Sequence, residues 1–111
     1  MTTIDFDQIF QNLEKGVESV AKDSVKNYVS QAKTDGKMVL NSLKTDLQRW
    51  AVEVENGAMN KEDLEFLLQG EEALDELVTL KEAGLAAVQI DKFKNGLINM
   101  IIGTITGMVK V

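Results

Sequence analysis

Apolar residues recur at helical spacing along most of this chain. Phe6, Phe10, Leu13, Val17 and Val20 open a series that weakens at Ser24. It resumes through Tyr28, Ala32, Gly36, Val39, Leu43, Leu47, Trp50 and Val54. Thirteen steps cover 48 residues, a period of about 3.7 against roughly 3.6 for an α-helix. No stretch of this half alternates as a half-buried strand would. Asp5-Phe6-Asp7-Gln8 reads as a helix start, with Asp5 as N-cap and Gln8 three residues on. The phase survives across Gly36, which predicts one helix over 5–55. Asp35-Gly36 is also a common turn pair, and the alternative is two helices, 5–33 and 37–55.

Asn56-Gly57 closes this half, because both residues tolerate the left-handed backbone that ends helices. Asn60 then caps a short helix from Lys61 to Gln69, with Asp63 placed to meet its N-terminal amides. Leu64, Leu67 and Leu68 give that helix its apolar side. Gly70 either breaks it or is absorbed. The series continues through Leu74, Leu77, Val78, Leu85, Val88 and Phe93. The expected fold is all-α and one domain over 1–111. It is either a long antiparallel helical hairpin (halves 5–55 and 61–109, turn 56–60) or a four-helix bundle. The bundle requires bends at Gly36 and in 91–96.

The end of the chain changes the picture. Leu97–Val109 reads LINMIIGTITGMV, with no charge, between Lys92 and Lys94 on one side and Lys110 on the other. Stepping about 100° per residue puts Leu97, Ile98, Ile101, Ile102, Ile105, Met108 and Val109 on one arc. Gly96, Gly103 and Gly107 fall on the other, among Asn99, Thr104 and Thr106. The first arc suits a core. The second is thin enough for another helix to approach closely, and Gly103-Thr104-Ile105-Thr106-Gly107 has the small-xxx-small form. The segment is short of the roughly twenty apolar residues a membrane span needs. Contact with a bilayer through 97–109 is the alternative to helix docking. Asn95-Gly96 also admits a terminal β-hairpin, 88–94 with 97–103, although Val88 and Ile90 would then share a face with Lys92 and Lys94. The candidate interaction residues are Trp50, Gly96, Ile101, Gly103, Ile105 and Gly107; Trp50, in phase with Leu43, Leu47 and Val54, is read first as core and, as the alternative, as a contact anchor.

Composition supports helices and removes much chemistry. There is no proline, where an average chain of this length carries roughly five. Histidine and cysteine are absent too, so the commonest general base, zinc-thiolate sites and thiol nucleophiles are excluded. Glycine-rich phosphate loops and nucleophile elbows are missing. Glu62, Asp63, Glu65, Glu71, Glu72, Asp75, Glu76 and Glu82 form an acidic run; as a ligand set it would take Ca²⁺ or Mg²⁺, but a solvated helix face is the expected reading. No enzymatic activity, cofactor or metal is expected. The net charge of −6 argues against nucleic acid. Residues 61–90 hold eight acids against two lysines, whereas 91–111 hold one acid against three. That asymmetry is compatible with self-association or an anionic surface.

A small acidic helical hairpin with a tryptophan beside its turn is similar in architecture to the Trp-x-Gly family of small secreted proteins. Trp50-Ala51-Val52 carries valine where their motif has glycine, so nothing of their function is carried over. Met1–Asp7 has no basic region or apolar core of the secretory kind, and a cytoplasmic location is expected. The partner expected from the sequence is a second copy of the chain or another helical protein.

Overall fold

The computed structural model describes residues 5–109. They form an all-α protein without strands, in which helices α1 (Phe6–Ser24), α2 (Val29–Glu55), α3 (Lys61–Gln69), α4 (Ala73–Glu76), α5 (Val78–Glu82) and α6 (Ala87–Met108) follow one another. Lys110, read above as the second lysine flank, lies outside these residues.

The single 5–55 helix does not form. At 1.5 Å per residue it would be about 75 Å long, and the longest dimension of the molecule is 48 Å. The chain turns at Val25 and the 3₁₀ turn Lys26–Tyr28. This is where the apolar series weakens at Ser24. Val25 leaves helical geometry (φ −140°) and buries its side chain. Ser24 and Asn27, both modest helix formers, make the departure inexpensive. α2 runs unbroken through Asp35-Gly36. α1 and α2 return antiparallel, as the Glu18–Lys33 ion pair and the Lys44 ammonium over the Phe10 ring show.

Gly36 is therefore a contact rather than a bend. A Cβ there would stand 2.4 Å from Val17 Cγ1, so glycine is what allows the two helices to meet. Asn95-Gly96 behaves alike. α6 is continuous, the 88–94/97–103 hairpin does not form, and a Cβ on Gly96 would stand 2.7 Å from Val20 Cγ1. Met100 fills the equivalent notch at Gly16. The pairs 20–96 and 16–100 fix α1 and α6 as antiparallel.

The second half breaks more often than its pattern suggests. Gly70 ends α3, Leu77 is left-handed (φ 31°, ψ 51°), and Gly84 has φ 84°. The short helices between these points lie against α2, while α3 lies against α6. Met59, Leu64, Leu68, Leu74, Leu77, Leu80 and Leu85 are buried in the same apolar cluster as the long helices. Val78 and Val88, part of the expected apolar series, are exposed instead.

Asn60 caps α3 as expected. Its side chain accepts from the Asp63 amide (2.9 Å), and the Asp63 carboxylate accepts from the Asn60 amide (3.1 Å). Such a reciprocal pair satisfies two amides the helix cannot.

Candidate interaction surface

The sequence-derived surface residues separate into three groups. Trp50, Ile101 and Ile105 are buried in the core of the chain itself. Gly96 receives Val20 of α1. Gly103 and Gly107 lie on the exposed side of α6, and among the described residues a Cβ on either would meet nothing within 4 Å. The aliphatic arc of α6 is buried at Leu97, Ile98, Ile101, Ile102 and Ile105, and Val109 beyond it is buried too. Met108 departs from it: its side chain is exposed, and its sulfur accepts a hydrogen bond from the Asn12 side-chain Nδ2 at 2.9 Å.

The outer side of α6 carries no charge after Lys94. Its exposed positions are Asn95, Asn99, Gly103, Gly107 and Met108. Thr104 and Thr106 are half-buried and donate within the helix, to Met100 Sδ (3.7 Å) and the Ile102 carbonyl (2.7 Å). The surface is thus free of charged side chains for nearly four turns. Beside it, an open cleft of about 470 Å³ runs along the edge of the α3–α6 contact, lined by Lys61, Glu62, Glu65, Asn99, Ile102 and Gly103.

Phe66 was not anticipated. It stands on α3 with 77% of its surface exposed, the largest apolar side chain so presented. The signal was in the sequence: at about 100° per residue, Phe66 falls opposite the Leu64–Leu68 side of its helix.

The acidic run is dispersed. Asp63 is engaged in the α3 cap, and Asp75 pairs with Lys94 of α6. Glu72, Glu76 and Glu82 rim a shallow depression with Val78 and Lys81. Among the described residues no group of three or more acidic side chains is placed to hold a metal ion. The remaining ion pairs, Glu18–Lys22, Asp46–Arg49 and Arg49–Glu53, are solvent-exposed and contribute little to stability.

One carboxylate stands apart. Asp35 is 2% exposed, and both of its oxygens accept backbone hydrogen bonds, from Thr79 (3.0 Å) and Leu80 (2.8 Å). Neither the continuous-helix reading nor the turn-pair alternative pointed to this, because a carboxylate in a helix interior gives no local sign of a distant partner.

No family model, curated protein or solved structure matches the chain. Among the described residues no helix is long and apolar enough to cross a membrane.

Proposed function

We propose that the protein is a non-enzymatic helical interaction module that works by docking a helix on the outer face of α6, with a second copy of the chain as the first partner. The carrying observation is the contrast among glycines within helices. Gly16, Gly36 and Gly96 each sit where a neighbour's side chain would collide with a Cβ, whereas Gly103 and Gly107 face open space. Each glycine inside a helix costs about 1 kcal/mol relative to alanine. At three positions the fold itself makes use of the missing side chain. At two it does not, and a partner helix pressed close to α6 would.

Charge and exposure support the same face. A molecule of net charge −6 meets its own copy most favourably where it carries no acid, and exposed α6 beyond Lys94 is neutral. Phe66, on the neighbouring helix, offers an aromatic anchor of the kind concentrated at interface centres. Contact with lipid would have to use the same outer arc, since the aliphatic arc is already within the core.

Light scattering on the full chain tests this. The expected mass at high micromolar concentration exceeds the 12.3 kDa of one chain, and Gly103→Glu/Gly107→Glu returns it to that value with the helix content unchanged. A wild-type chain that stays monomeric throughout overturns the self-association reading. Flotation with anionic vesicles but no protein assembly would assign the face to lipid instead.

A further inference from the structure

The Asp35 carboxylate explains how a segment that lacks its own stabilising signals is held in place. Residues 71–86 carry two helices of only four and five residues, far below the length at which a helix persists alone. α5 starts from Leu77, whose side chain has no acceptor to cap the helix and whose φ of 31° is unfavourable for a residue with a Cβ. The missing cap comes from α2. Asp35 takes the Thr79 and Leu80 amides, the first-turn donors that a local Asn or Ser cap would otherwise satisfy. Gly70 immediately precedes the segment, and Gly84, with φ 84°, lies between α5 and the segment's end. At its inner side a cavity of about 100 Å³ is lined by Asp35, Met38, Val39 and Ser42 of α2 and by Ala73, Glu76, Leu77 and Val78. Met38 and Val78 are exposed at this seam.

We infer that residues 71–86 form a strap that opens as a unit from the α1–α2–α6 body, and that Asp35 is its latch. Buried leucines seat the strap, and the two charge-assisted bonds fix where α5 begins. Opening uncovers the α2 surface around Val39 while the α1–α6 contacts stay closed. The inference is independent of the α6 docking face, which lies on other elements.

Amide hydrogen exchange on the full chain tests this. In the wild type at low denaturant, Lys81, Ala83 and Leu85, whose amides bond within the strap, are expected to exchange together and faster than the α1 and α6 amides. Asp35→Asn keeps the side-chain shape, removes the charge and turns one of the two acceptors into a donor. It is expected to speed exchange at Thr79, Leu80 and the strap amides by roughly tenfold or more, leaving α1 and α6 within about twofold. Equal acceleration in strap and body, or none at Thr79 and Leu80, overturns the latch. If the variant does not fold, the wild-type exchange decides: strap amides that open only with α1 and α6 overturn the strap.

Discussion

Replacing Gly36 by alanine tests the α1–α2 crossing directly. The new methyl would lie 2.4 Å from Val17 Cγ1, 3.2 Å from Cγ2 and 3.4 Å from Cβ, where carbon atoms rest about 3.5–4.0 Å apart. Val17 cannot turn aside. It is fully buried, its β-branched side chain has one strongly preferred rotamer in a helix, and rotation would exchange one methyl for another. The helices must separate. Overpacking of this kind costs about 1–3 kcal/mol, and the upper part of that range applies because backbone has to move. Alanine returns about 1 kcal/mol through helix propensity. The expected net loss is about 1–2 kcal/mol, or a fall in Tm of roughly 4–8 °C for a chain of this size, read by far-UV circular dichroism at low micromolar concentration. Gly103→Ala is the control. With open space around it, the same change there is expected to stabilise by about 0.5–1 kcal/mol. Combining Gly36→Ala with Val17→Ala should give a loss smaller than the sum of the two by about 1 kcal/mol, because the smaller residue vacates the contested space. A Gly36→Ala protein that melts at or above the wild-type temperature, with effects additive to Val17→Ala, would refute the crossing.

Two further outcomes check separate parts of the fold. Asn60→Ala removes the side-chain half of the α3 capping box and is expected to cost about 1 kcal/mol, measured as a lower urea midpoint at unchanged slope; an unchanged midpoint would mean that α3 needs no cap. Trp50, the single tryptophan, is 3% exposed, so its native emission should lie to the blue and resist acrylamide until the chain unfolds. Quenching of the native protein as efficient as that of the unfolded chain would place Trp50 on the surface.

What the sequence discloses about this fold follows from how local each signal is. The all-α class, the α3 cap at Asn60 and the buried arc of Leu97, Ile98, Ile101, Ile102 and Ile105 are written in spacing and in neighbouring residues. The breaks are less legible. Glycine inside a helix has the same local meaning at 36, 96 and 103: weak propensity and a missing side chain. Whether that becomes a bend, a contact or an open face is decided by Val17 and Val20 on another helix, or by the lack of any such neighbour. The chain turns at Val25–Tyr28, where the apolar phase falters, and not at Asp35-Gly36, where the turn chemistry looked better. The same non-locality hid the Asp35 bonds to Thr79 and Leu80, because the residue that needs the cap and the residue that supplies it lie on different helices. The glycines at 103 and 107 complete the argument. The described residues leave both uncovered, which supports the proposal that a partner helix uses them. That makes the open face of α6 a stronger reason to seek a partner than the small-xxx-small pattern was by itself.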